Sequence, residues 1–391
     1  MRTVGTRVMG IRTPIIQSGD DLPAVVAESL LDYVKESGES LNDRDVVGIT
    51  EAVVARAQGN YATVEQIAKD VRDKFPSGTV GVVFPILSRN RFSMLLKGIG
   101  MGADKLIIQL SYPSDEVGNH LIDPDLLDEL GIDPNMPMTE DEFRAAFGDL
   151  KHQFTGIDYL ELYRGMAPGS EIILANDPRA ILKYTNQIIT ADIHTRARTK
   201  KRLLAAGAEK VYGLDEILNQ SVDGSGFNPQ YGLLGSNKAT DEKVKLFPRD
   251  CDVFVQAVCD QLSQKTGVNV EVLVYGDGAF KDPVGKIWEL ADPVVSPAYT
   301  DGLSGLPNEL KLKYLADNEL SGKSGEEARL AMVERIRKKN HNLMGKEETE
   351  GTTPRRLTDL IGSLCDLTSG SGDKGTPVIL IKGYFDNYAS E

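Results

Sequence analysis

The residues best placed to do chemistry follow the run VNVEVLVY, where the chain reads GDGAFKDP. Ligands of α/β proteins bind beyond the carboxyl ends of strands. Asp277 stands there between Gly276 and Gly278, which let backbone approach a phosphate or a metal closely. An Asp so placed can hold Mg²⁺ or Mn²⁺ through hard oxygen contacts. Asp282 is a candidate second ligand, and Lys281 or Lys286 a phosphate partner. The same tripeptide also makes a plain tight turn with Asp277 as turn former. SRNR, after another apolar run, carries Arg89 and Arg91, which can grip an anion or cap a turn. His194, in ITADIHTRARTKKR, opens a helix rich in Arg and Lys, which reads either as an anion site or as a solvated basic face. The other histidines, His120, His152 and His341, lack metal-ligand spacing, so a zinc hydrolase is not indicated. Neither a GxxxxGK[ST] loop nor a GxGxxG after a strand is present.

These groups sit in 391 residues with 44 basic and 58 acidic side chains, a net charge of −14. That acidity argues against a broad nucleic-acid or anionic-membrane surface. A hydrophobic content of 41% excludes wholesale disorder. Cys251, Cys259 and Cys365 are odd in number and form no CxxC pair, so neither a disulfide framework nor a Cys-rich zinc site is expected. The opening MRTVGTRVMGIRTPII shows no signal-peptide pattern, and no stretch has the length of a membrane span. A soluble cytoplasmic protein acting on small molecules is the expectation.

The elements that must position these groups alternate strands with helices. Residues 20–36 read as a helix with Val26, Leu30 and Val34 in register and Pro23 in its first turn. Val46–Ile49 is a buried strand, followed by a helix over Glu51–Gln58. Thr79–Phe84 and Lys105–Leu110 read as strands joined by the helical Phe92–Lys97, which Gly98, Gly100 and Gly102 end. Residues 111–170 read as an insertion with short helices and little sheet. Strands return at Glu171–Leu174 and Gln187–Thr190, and 219–247 reads as a polar loop. Asp252–Lys265 is an amphipathic helix, Val268–Tyr275 the strongest strand, and Pro307–Leu315 and Glu326–Lys339 are helical. Leu357–Thr368 and Pro377–Lys382 close the pattern, which is α/β.

Three separated segments together resemble one family, the coenzyme F420-0:γ-glutamyl ligases. TPIIQSGDDLPAVVAESL with DVVGITEAVVARAQGN is similar to its opening, a Pro-containing motif and "GDDL" before a helix, a strand and a "SKAEG"-like turn. GLLGSNKATDEKVKLFPRDCDVFVQAVCDQLSQKTGVNVEVLVYGDGAF resembles its "DASN…LLP", helix and "VSDSFGRP" block. LTDLIGSLCDLTSGSGDKGTPVILIKG resembles its closing motif. The resemblance covers roughly 160 residues by ordered motifs. It implies a mixed sheet with flanking helices, built from 1–74 and 231–391, with 75–230 as an inserted α/β region. It also implies GTP or ATP as co-substrate, two divalent cations (Mg²⁺ or Mn²⁺), an acyl phosphate attacked by the amine of L-glutamate, and a homodimer.

Carried over residue by residue, Asp277 matches a metal-binding Asp, and Asn237 the nucleotide-facing Asn of "DASN". Thr13, Pro14, Ile15 and Ile16 match the stretch that contacts the nucleotide. Arg56 replaces the Lys of "SKAEG", keeping the charge with different hydrogen-bond geometry. Leu234 falls where "DASN" has its metal-binding Asp, Gly278 replaces a hydroxyl residue, and FKDP stands for FGRP. The reading is therefore a nucleotide- and metal-dependent amide ligase. Asp277 and Lys281 are its catalytic candidates and Asp277 and Asp282 its metal ligands. Arg89, Arg91 and His194 are expected to hold the acceptor, with Asp277 near Asn237 and the insertion completing the site. A non-catalytic nucleotide- or ligand-binding relative, acting as a regulatory or partner subunit, is the rival that Leu234 favours.

Overall fold

The computed structural model describes residues 3–148, 150–152, 155–278, 292–349, 355–370 and 372–390. The chain begins with β1 (Arg7–Ile11), α1 (Leu22–Ser37), β2 (Val46–Thr50), α2 (Glu51–Ala57), β3 (Tyr61–Thr63) and α3 (Val64–Lys74). Next come β4 (Thr79–Val83), α4 (Ser93–Gly102), β5 (Lys105–Leu110), α5 (Pro124–Leu130), β6 (Met138–Thr139), α6 (Glu140–Phe147) and α7 (Tyr159–Met166). Then follow β7 (Glu171–Leu174), β8 (Gln187–Thr190), α8 (Arg196–Ala205), β9 (Lys210–Gly213), β10 (Asn237–Lys238) and β11 (Lys243–Lys245). The last are α9 (Cys251–Thr266), β12 (Glu271–Tyr275), β13 (Ala298–Tyr299), α10 (Leu312–Tyr314), α11 (Gly325–Arg337), α12 (Leu357–Thr368) and β14 (Val378–Lys382).

The first sheet has the order β1-β14-β2-β12-β13. Its central pair, β2 and β12, runs parallel, while β14 is antiparallel to both β1 and β2. Both faces of β2, β12 and β14 are covered, which is why these strands read as nearly continuous apolar runs. Val272 and Val274 face α1 and α9, packing with Val26, Leu30, Val258 and Leu262. Leu273 and Tyr275 face α12, packing with Ile361 and Cys365. Helix α1 starts where Asp21 accepts the N–H of Ala24, with Pro in its first turn. It stops at Gly38, in the left-handed conformation.

The second sheet has the order β6-β7-β5-β4-β8-β9, all parallel except the short edge strand β6. The chain enters at β4, winds outward through β5 and β7, then returns to β8 on the other side. The order therefore reverses between β4 and β8, and such a reversal opens a crevice at the carboxyl ends of the two strands. A small antiparallel sheet, β10-β11-β3, lies between the two larger ones in chain order.

Three readings of local structure need correction. Gly98 and Gly100 do not end α4; the helix runs through both and stops at Gly102. Their role is close packing: a Cβ at Gly98 would lie 2.7 Å from the Ile67 Cβ, and one at Gly102 2.6 Å from the Ala68 carbonyl oxygen. Helix α3, which sequence reading missed, presses into that groove and gains enough burial to outweigh the low helix propensity of glycine. Residues 219–247 are not a plain polar loop. They carry β10 and β11 and bury Leu233, Leu234 and Phe247. The helix expected over Pro307–Leu315 is confined to Leu312–Tyr314, continued by one wide turn over Leu315–Glu319.

Candidate functional site

Parallel pairing sets the site. Thr50 of β2 lies opposite Tyr275 of β12, so the residues that follow both strands emerge side by side. After β2 comes Glu51, the first residue of α2; after β12 come Gly276, Asp277 and Gly278. The Asp277 N–H donates to Asp292 Oδ2 at 2.8 Å, and the Gly278 N–H to Asp366 Oδ2 at 3.0 Å. A Cβ at position 276 would stand 2.5 Å from Asp292 Oδ2, so glycine is needed for this turn to close on the Asp292 carboxylate.

The second sheet adds the cation. Arg91, in the loop between β4 and α4, reaches across to this turn. Its Nη2 lies 2.5 Å from Asp277 Oδ2 and its Nη1 2.5 Å from Asp292 Oδ1. The Asp292 side chain is only 2% exposed, and that of Arg91 17%. Burial opposes the charge on Arg91, but the carboxylates of Asp292 and Asp277 outweigh it and raise the guanidinium above its usual value. Lys245 of β11 lies 3.3 Å from Glu51 Oε1, and both side chains are largely buried. Burial pushes the Glu51 carboxyl up to about 7; Lys245 opposes the shift and Asp292 adds to it. Burial also raises Asp366, opposed by the Gly278 N–H and reinforced by Asp292.

The residues named from sequence fall in three places. Asp277 and Arg91 meet directly. Asn237 lies one pairing step away, opposite Lys245 in the β10–β11 ladder. The Lys238 N–H donates to the Asn90 carbonyl at 2.7 Å, binding this segment to the SRNR loop. Leu234 is buried beside Arg91 and Phe92, lining a small apolar cavity with Ile86, Ile193 and Ser236. Thr13, Pro14, Ile15 and Ile16 form a second place. Ile15 is 83% exposed and Ile16 is buried. Arg56 Nε donates to the Ile16 carbonyl at 2.5 Å, near the opposite end of α2 from Glu51.

Arg89 and His194 form the third group, and both side chains are exposed. The Arg89 carbonyl accepts the Ser93 hydroxyl at 2.5 Å. The His194 N–H donates to Glu116, which also accepts the N–H groups of Ile193 and Thr195 at the start of α8. Asp192 is buried and accepts the hydroxyls of Thr195 and Thr199, each at 2.7 Å. Three cations of α8 are paired with acids: Arg196 with Asp215, Lys200 with Glu216, and Arg202 with Asp177. So the end of β4 reaches Asp277 through Arg91, while Asp192 and the His194 backbone serve the entry to α8. Lys281 and Asp282 lie outside the described residues.

A resident divalent ion does not fit the described groups. It needs several oxygen ligands, and the Asp277 and Asp292 oxygens facing each other are already held by one guanidinium. Leu234 supplies no oxygen. Among the described residues no group of three or more His, Cys, Asp or Glu side chains is arranged to hold a metal.

Sequence reading missed Glu51, Asp292, Asp366 and Lys245. Glu51 was open to discovery, since it follows the strand Val46–Ile49 as directly as Asp277 follows its own. Among the described residues no helix is long and apolar enough to cross a membrane.

Comparison with known proteins agrees with the motif order. The model of the family described as F420-0:Gamma-glutamyl ligase matches residues 10–383. A coenzyme F420:L-glutamate ligase from Methanothermobacter thermautotrophicus is 32% identical over 65 residues, which is 16% of this chain and 24% of that protein. The chain thus spans about a quarter of the length of that curated relative.

Proposed function

Since this chain belongs to the F420-0:γ-glutamyl ligase family, we propose that it forms an amide bond between an amino acid, L-glutamate by preference, and a carboxylate acceptor of the coenzyme F420-0 type. GTP or ATP, as its Mg²⁺ or Mn²⁺ complex, is the co-substrate. The acceptor carboxylate takes the terminal phosphoryl group to give an acyl phosphate. The amine attacks the acyl carbon, and phosphate leaves. The observation that supports this most is the turn after β12, where Asp277 meets a cation delivered by the other sheet. Phosphoryl transfer is mostly positioning and charge stabilisation, and such a turn supplies both.

The residue roles follow that reading. Asp277 and Arg91 hold the reacting end, with Lys281 as a further phosphate partner. Thr13, Pro14, Ile15, Ile16, Arg56 and Asn237 take the nucleotide, and Arg89 and His194 the acceptor. The 1–74 and 231–391 portion carries nucleotide chemistry, and the 75–230 region selects the acceptor. We further propose a homodimer, which light scattering showing a constant 42.6 kDa mass across concentrations would refute.

The test is turnover by the full chain with GTP or ATP, Mg²⁺ or Mn²⁺, L-glutamate and F420-0. Phosphate release coupled to a product heavier by one glutamyl residue is expected. Nucleotide binding with no phosphate release under any pairing would sink the ligase reading and favour a non-catalytic binding relative.

A further inference from the structure

The turn after β12 gathers three carboxylates, those of Asp277, Asp292 and Asp366. The Asp277 N–H donates to the Asp292 carboxylate, and Asp366 closes on the next residue. Glu51 stands at the end of the adjacent strand, against Lys245. Carboxylates this close repel each other unless a cation lies among them. Arg91 is that cation, and it comes from 186 residues earlier in the chain. It holds one oxygen of each aspartate, at equal distances. A two-pronged grip of this kind fixes position as well as charge. Guanidinium also keeps its charge at every ordinary pH. Leu234, buried beside it, offers the cluster nothing but apolar surface.

We propose that Arg91 is the built-in cation of this site, standing between Asp277 and Asp292 in the position a resident divalent ion would otherwise take. Metal then enters only as the counter-ion of the nucleotide phosphates. The role of the nucleotide rests on the ligase reading; the occupation of the carboxylate pair does not. Two consequences follow. The free protein has no Mn²⁺ site that depends on Asp277. Removing the guanidinium, while leaving both aspartates, unmasks one.

The test is Mn²⁺ binding by electron paramagnetic resonance, on the full chain without nucleotide or other substrate. Wild type and Asp277→Asn should bind Mn²⁺ alike. Arg91→Gln should gain a site at least tenfold tighter than wild type, and Arg91→Gln combined with Asp277→Asn should lose it again. The proposal is overturned if Asp277→Asn weakens Mn²⁺ binding tenfold while Arg91 is in place. It is equally overturned if a folded Arg91→Gln protein gains no site. Arg91→Gln leaves buried carboxylates uncompensated. Should circular dichroism show it unfolded, the comparison of wild type with Asp277→Asn decides: equal binding supports the proposal and a tenfold loss overturns it. Because no substrate is present, failure of the ligase reading leaves this result unchanged, and a ligase that binds Mn²⁺ through Asp277 overturns only this inference.

Discussion

Asp277→Asn should leave a folded protein whose ligation rate has fallen by about a hundredfold or more. Asn keeps the shape of the side chain and both backbone contacts of the turn, since the N–H groups of residues 277 and 278 donate to Asp292 and Asp366 rather than to Asp277 itself. What changes is charge. Arg91 would then face one carboxylate instead of two, and would be drawn toward Asp292, away from the reacting end. Loss of one preorganised electrostatic contact of this kind costs about a hundredfold to a thousandfold in turnover. The measurement is kcat/KM together with a thermal melt. A variant that melts like wild type and turns over within a few-fold of it would show that Asp277 is only a turn former.

The stability of the protein should carry an acidic-to-neutral pH dependence traceable to Glu51. Its carboxyl sits near 4.5 when exposed and at about 7 in the folded chain. Between those values the native state binds a proton that the unfolded state has released. The stability this group contributes is therefore fully present below pH 4.5 and is lost as pH rises through about 7. At about 1.4 kcal/mol per pH unit, the shift amounts to roughly 3 kcal/mol. Glu51→Gln removes the titration. The stability difference, wild type minus variant, should thus fall by up to roughly 3 kcal/mol from pH 4.5 to pH 7.5. Urea unfolding at several pH values measures it, and parallel curves would show that Lys245 holds Glu51 ionised throughout.

Much of the scaffold was legible in sequence because its elements obey simple periodicities. Helix α9 shows Phe254, Val258 and Leu262 on one face and forms where its pattern places it, and β12, an apolar run followed by glycine, ends at Tyr275 as expected but begins only at Glu271. The family and the mixed α/β class were legible as well, from motif order at the two ends of the chain. Patterns failed where tertiary contact overrode them. A row of glycines reads as a break, yet α4 needs it so that α3 can approach. The short strands β10 and β11 have too few residues to show alternation, and it is their pairing with each other and of β11 with β3 that makes them strands. The site divided the same way. Asp277 announced itself by its glycines and its strand. Asp292 did not, since its value comes from the fold of the turn around position 276 and from a guanidinium far away in sequence. Arg91 was named as an anion holder from its strand-end position, and its observed partners are two carboxylates of the protein itself.

The pairing of β1 with β14 has a consequence for the order in which the protein can be assembled. Ile11 lies opposite Val378 and Arg7 opposite Lys382, so β1 waits for a partner made more than 360 residues later. Strand β2 waits as well, since its two neighbours are β12 and β14. The six strands of the other sheet come from one continuous stretch of chain and have all their partners in hand much sooner. Domains and sheets with local partners form first during synthesis, and pairings that close long loops come late. Arg91 is thus set in place by an early-forming scaffold, and Asp277 is brought to it when the first sheet closes. The ion pair at the heart of the site is in this sense a report that the first sheet has closed.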